Sequence, residues 1–225
     1  MHNELIFLAH IIIISIFTIA ALKISKETLI ATIALFCVLA NLFVLKQINL
    51  FGFAPTASDA FSVGAILGIN LLQEYFGSET AKLAIKTSFF ATILYAITSQ
   101  IHTIYSPAIC DISCSHYNFL LQFMPRLAIA SIAVTLLAQI IDRKLYEFLK
   151  NKFNNNHFIF RNFFSLVIVQ LFDTILFTIL GLWGIIDNLL DVIIVSFAVK
   201  IATILISVPI ISIFRSKSHI KNTQK

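Results

Sequence analysis

Apolar residues gather in seven long stretches, at about residues 5–22, 28–45, 58–76, 83–101, 126–142, 161–183 and 191–214. Each approaches the roughly 20 residues that an α-helix needs to cross a hydrocarbon core of about 30 Å. The stretches are too long for strands and lack the strict alternation of a half-buried sheet. The pattern therefore predicts an all-α integral membrane protein, a polytopic bundle of about seven transmembrane helices. With short intervals between them, residues 1–225 form one transmembrane domain with no room for a separate soluble one. Met1-His-Asn-Glu4 carries no Lys or Arg, and no small-residue cleavage pattern follows before Lys23, so the first stretch reads as a retained helix and not a signal peptide.

Composition agrees. Hydrophobic residues make up 59% of the chain and charged ones 12%, against about a quarter charged in soluble domains. This excludes an ordinary soluble enzyme. The net charge of +5 is spread over short intervals, which excludes a disordered chain or a basic nucleic-acid-binding domain.

The same charges predict orientation. Lys23 and Lys26, Lys82 and Lys86, the group from Arg143 to Arg161, and the basic tail at 215–225 all fall on one side of a seven-span bundle. Positive charge marks the cytoplasmic side, so the N-terminus is expected outside and the C-terminus in the cytoplasm. Residues 102–125, the longest interval on the other side, contain no Lys or Arg. Cys110 and Cys114 lie there with His102 and His116. Their spacing matches no standard zinc pattern, so no metal site is expected; a small disulfide and two free thiols both remain open.

Polar side chains within the apolar stretches carry the chemistry, because ionisable groups in hydrocarbon persist mainly where they pair or line a cavity. Lys46, at the end of the second stretch, can snorkel to the headgroups. Arg126 and Lys200 break the charge rule and need another explanation. Asp173 lies twelve residues in from Arg161, roughly 18 Å deep at 1.5 Å per residue. Lys200 lies nine residues in from Asp191, roughly 13 to 14 Å from the opposite surface. The two are expected to face each other near mid-membrane, either as a gate that opens when substrate competes for Asp173 or as a static ion pair. Gln170 shares a face with Asp173, and Thr174 adds a hydroxyl that can also bond back to its own helix.

A second polar group comprises Asn70 and Glu74 on the third stretch and Gln139 and Asp142 on the fifth. Glu74 and Asp142 also fit ordinary helix-end residues, and Asn70 and Gln139 also fit amides that join helices. Ala60, Gly64 and Gly68 form a small-residue stripe suited to close packing. Pro209 is expected to kink the last helix. There is no HExxH, GxSxG or phosphate-binding loop, so neither an enzyme nor an ATP-driven pump is indicated. No cofactor is expected, and a secondary carrier or facilitator remains.

Five elements in order, Asn41, Asn70-Leu-Leu-Gln-Glu74-Tyr-Phe-Gly77, Arg126-Leu-Ala-Ile-Ala-Ser131 with Gln139 and Asp142, Gln170-Leu-Phe-Asp173-Thr174, and Lys200 with Pro209, resemble the queuosine precursor transporters over about residues 28–214. The resemblance implies a six-helix core preceded here by an extra N-terminal helix at 5–22. It implies a multi-pass protein of the bacterial inner membrane that imports 7-cyano- or 7-aminomethyl-7-deazaguanine, or queuine, for queuosine modification of tRNA. It also implies a nucleobase-like small molecule as partner beside the lipid bilayer and no directly bound nucleic acid, and it leaves the oligomeric state open. On this likeness the substrate-binding candidates are Asn70, Glu74, Arg126, Ser131, Gln139, Asp142, Gln170, Asp173, Thr174 and Lys200. Asn70 departs from the family, many of whose members carry Asp there. A deazaguanine is planar, with a lactam N–H, an amine and a carbonyl. Carboxylates and amides match that edge, and Phe172, Phe177, Tyr75 or Trp183 could stack on the ring. A secondary transporter of another purine-like base or vitamin, and a non-transporting assembly subunit, are the competing readings.

Overall fold

The computed structural model describes residues 2–152 and 158–222, with the side chains of 143, 146–147, 149–152, 158–165 and 206–222 outside the description. Among the described residues eight α-helices follow one another: α1 (His2–Ile24), α2 (Lys26–Phe43), α3 (Asp59–Phe76), α4 (Ser78–Ile104), α5 (Cys114–Leu121), α6 (Met124–Lys152), α7 (Phe158–Phe177) and α8 (Leu189–Asn222). All but the short α5 correspond to the seven apolar stretches. The chain is an all-α polytopic membrane protein. Among the described residues, His2–Ile24, Lys26–Phe43, Ser78–Ile104 and Cys114–Asp142 are each long and apolar enough to cross a bilayer. α3 is less apolar because it carries Asp59, Ser62, Asn70, Gln73 and Glu74.

Several helices overrun the apolar stretches. α6 continues from 142 to Lys152, and α8 continues through 215–222, into the basic tail. The apolar run marks only the part of a helix immersed in lipid, and backbone hydrogen bonding carries the helix onward into the polar region. Pro209 and the basic side chains of 215–225, like those of Arg143, Lys150, Lys152 and Arg161, fall outside the described side chains.

Two very short connections fold helix pairs back on themselves. α1 and α2 are separated by Ser25, which is extended (φ −168°, ψ 165°) and accepts the Thr28 N–H at 3.0 Å as an N-cap. α3 and α4 are separated by Gly77, whose φ of 84° suits a residue without Cβ and whose N–H returns to the Gln73 carbonyl at 3.1 Å. Ala21, Leu29, Leu71, Leu72, Ala81 and Ala84 join in one buried cluster at this end. Lys23, Lys26, Lys82 and Lys86 belong to these same turns, and we call it the basic end. At the other, the loop end, Val44, Met124, Leu127, Leu182, Ile186 and Val192 form a second cluster.

α3 is the central helix and packs against α1, α2, α4 and α8. Its small residues allow this: a Cβ at Gly68 would stand 2.7 Å from Ile33 of α2, and one at Gly64 would collide with Ile14 of α1 and Phe36 of α2. α1 lies at the margin, with Leu5, Ile6, Leu8, Ile12, Ile13, Ile16 and Phe17 all exposed, as suits a helix whose outer face meets lipid.

The loop end is strapped. Residues 44–58 turn back on themselves through antiparallel bridges Gln47–Thr56 and Leu50–Phe53, with Leu50 buried. Asn3 donates to the Asn49 carbonyl and the Phe51 N–H donates to Glu4, both at 3.1 Å, while the Ala54 N–H donates to Asp191 Oδ2 at 2.9 Å. The strap thereby joins the start of α1 to the start of α8. Between α4 and α6, Ser113 donates through its N–H and Oγ to Asp111 Oδ1 at 2.8 and 2.7 Å, which holds the Asp111 carboxyl below the usual carboxylate range. Cys110 and Cys114 are both free thiols, and no cluster suited to a metal ion occurs among the described residues.

Candidate functional site

An ion pair crosses the middle of the bundle. Lys200 Nζ of α8 donates to Asp173 Oδ2 of α7 at 2.5 Å and to Thr174 Oγ1 at 3.1 Å. The side chains are only 12% and 24% exposed, respectively, so solvent screens the attraction weakly and loss of one partner strands the other charge. Thr174 is buried and also donates to the Gln170 carbonyl at 2.8 Å, so its hydroxyl serves its own helix and the pair together.

The pair borders two cavities. The loop-end chamber, about 160 Å³, is walled by α2, the strap, α3, α6, α7 and α8, with Asn41, Asp59, Ser131, Thr174, Phe177 and Ser196 on its surface. The second, about 230 Å³, extends along α4 past Ile69, Ile85, Ser88 and Phe89 and reaches Gln170. Cys37, Ser62, Ala65, Ser131, Thr135, Asp173 and Lys200 line both. One polar partition therefore stands between two hollows, and α1 contributes nothing to either wall.

The structure brings Ser131, Gln170, Asp173, Thr174 and Lys200 together on these walls. It does not bring Asn70, Glu74, Gln139, Asp142 or Arg126 there. Glu74 is exposed, whereas Asn70, Gln139 and Asp142 are half-buried beyond the walls, toward the basic end. Of the aromatic candidates Phe177 lines the loop-end chamber; Phe172 and Trp183 are exposed and Tyr75 is half-buried outside both walls.

Arg126 has another partner. α7 ends in a π-helical turn, Thr178–Leu182. Such a turn widens the helix and disturbs the ordinary i to i−4 bonding. The guanidinium takes two carbonyls at this end, Nε donating to Leu180 at 2.9 Å and Nη2 to Trp183 at 2.7 Å. The cation thereby joins α6 to the C-terminal end of α7, where partial negative charge accumulates. This accounts for its departure from the charge rule.

Two wall residues carry no binding signal in the sequence. Asp59, in the first turn of α3, is buried and accepts from Ser196 Oγ of α8 at 2.7 Å. Asn41, in the last turn of α2, is also buried; its Nδ2 donates to the Cys37 carbonyl at 2.8 Å and its Oδ1 accepts no hydrogen bond among the described residues. Asp59 looks in sequence like an ordinary acidic residue at a helix start. Asn41 is quoted only as a motif element, with no chemistry to distinguish it.

Comparison with known proteins gives a concordant result. A bacterial relative from Bacillus subtilis (strain 168), named "Probable queuosine precursor transporter", is 29% identical over 203 residues, covering 89% of this chain and 88% of its own. No solved structure matches the chain. The family described as "Putative vitamin uptake transporter" matches residues 56–214, from the end of the strap through most of α8. That span takes in every wall of the two chambers except α2 and the first part of the strap, and the chain belongs to this family of membrane transporters, not to a family of enzymes.

Proposed function

We propose that the protein is an inner-membrane importer of queuosine precursors, 7-cyano- or 7-aminomethyl-7-deazaguanine or queuine, supplying queuosine modification of tRNA. The observation that carries this reading is the polar partition of Asp173, Lys200, Ser131 and Thr135 between two hollows of one bundle. The name of the Bacillus relative supports the substrate class. The excess of Lys at the basic end supports a cytoplasmic C-terminus and an external N-terminus.

Substrate then enters the loop-end chamber from outside. A deazaguanine is mostly neutral, so it crosses without a fixed counter-charge but must have its hydrogen-bonding edge satisfied in hydrocarbon. Ser131, Gln170 and Thr174 supply hydroxyl and amide groups along the way. Asp173 and Lys200 act as the gate. A ligand that accepts from Lys200 or donates to Asp173 weakens the pair, and the weakened pair lets α7 and α8 separate toward the basic end. Asn70, Glu74, Gln139 and Asp142 lie along the exit, while Arg126 fixes the end of α7.

The chain acts as a single domain. Its transporting core comprises the helices from α2 onward, over about 28–214, and α1 is an addition that borders lipid. The absence of α1 from both walls supports that division.

A transporter of another purine-like base or vitamin is the second reading, favoured by the description of the family. Feeding each deazaguanine separately to cells lacking both queuosine synthesis and their own importer tests the choice. Queuosine in tRNA is restored by the protein under the first reading. Under the second it is not, although the protein is present in the membrane.

A further inference from the structure

In the loop-end chamber the acceptors and donors do not balance. Asn41 and Asp59 stand on consecutive helices, α2 and α3, and each is only 5% exposed. Asn41 commits its Nδ2 to the Cys37 carbonyl, which fixes the amide orientation and turns Oδ1 into a dedicated acceptor without a protein donor. Asp59 receives Ser196 Oγ, and a carboxylate has capacity for several donors. The hydroxyls of Ser62, Ser131 and Thr178 also line the chamber, but none of them is bonded to Asn41 Oδ1, and three other polar side chains there are engaged elsewhere. Lys200 is held by Asp173 and Thr174. Thr56 and Ser58 share a hydrogen bond of 2.8 Å with each other. A ligand that brings only acceptors to this chamber would leave two buried acceptors facing it.

We propose that Asn41 and Asp59 form the recognition edge of the chamber, a pair of acceptors for adjacent N–H donors on a planar heterocycle, namely an amino-lactam or amidine-like edge. The proposal rests on the transport reading above and deepens it by assigning the substrate's donor edge to Asn41 and Asp59, which leaves Lys200 of the gating pair to meet the substrate's acceptors. Phe36, Phe61 and Phe177 line the same chamber and give the rest of the ring apolar surface. A site built around hydrogen bonds to N–H groups discriminates strongly against an analogue that lacks them, because its own acceptors are then left buried and unpaired.

The test is a selectivity ratio, which does not depend on how much of a variant accumulates. Full-length protein in proteoliposomes is assayed for initial uptake of 7-cyano-7-deazaguanine and of the same compound without its 2-amino group. The wild type should favour the amino compound by about 100-fold or more. Asn41→Leu and Asp59→Leu should each bring the ratio to within about tenfold, whereas Asn41→Asp and Asp59→Asn, which keep an acceptor at the position, should retain most of it. Variants that keep the wild-type ratio, or a wild type that takes up both compounds equally, overturn this assignment and leave the transport reading standing. A wild type that takes up neither compound, nor 7-aminomethyl-7-deazaguanine or queuine, overturns both.

Discussion

Lys200 Nζ stands 2.5 Å from Asp173 Oδ2, and both residues line the two chambers on either side of that contact. Passage from one hollow to the other therefore runs past this pair. Asp173→Asn and Lys200→Ala should each lower uptake by about 100-fold, in the range attached to loss of a transition-critical charged contact. Each should also destabilise the protein by about 3–5 kcal/mol, because the remaining charge is left buried without its partner. Uptake measured at matched protein levels, with thermal unfolding in detergent, checks both. Normal uptake by either variant would reduce the pair to a static one.

Gly68 carries the approach of α3 to α2. A Cβ there meets Ile33 at 2.7 Å, so Gly68→Ala should cost about 1–3 kcal/mol by overpacking, and Gly68→Leu should prevent accumulation. Unfolding midpoints of the purified variants measure this.

Arg126 should affect folding more than affinity. Arg126→Ala releases the carbonyls of Leu180 and Trp183, both on exposed residues, at a cost of about 0.5–1.5 kcal/mol for the lost hydrogen bonds. Arg126→Lys should rescue little, because a compact ammonium cannot reproduce the guanidinium fork. The KM of the folded fraction should stay within about threefold of the wild type, a margin typical of context-dependent effects. A large rise in KM with unchanged stability would instead place Arg126 on the substrate.

Cys110 provides a native probe of orientation. It is exposed on the segment between α4 and α5, while Cys37 lies within α2 on the cavity walls. A membrane-impermeant maleimide added to intact spheroplasts should label Cys110 and spare Cys37. Labelling of Cys110 only after lysis would invert the proposed topology.

The helices were easy to read because the bilayer sets their length and excludes polar side chains from long runs. The meeting of Asp173 and Lys200 follows from the helical rise, since two rare charges at one depth have few other neighbours. Other features depend on tertiary placement that periodicity does not encode. Asp59 resembles any first-turn carboxylate until Ser196, 137 positions away, is seen to approach it. The role of Arg126 depends on a π-helical turn whose carbonyls lie 54 and 57 positions on. The strap at 44–58 is held by backbone groups and by side chains from the first turns of α1 and α8, Asn3, Glu4 and Asp191, so no local motif announces it. Asn70, Glu74, Gln139 and Asp142 have the right chemistry for a base, but their helices carry them beyond the chamber walls toward the basic end.

The most direct measurement of the central claim is queuosine in tRNA from cells that can neither make the precursor nor import it, supplied with this protein and fed one 7-deazaguanine at a time. The account predicts that at least one precursor base restores queuosine with the wild-type chain and that none does so with Asp173→Asn at equal membrane abundance. Failure of every base with the wild-type chain in the membrane, or full restoration by Asp173→Asn, would contradict it.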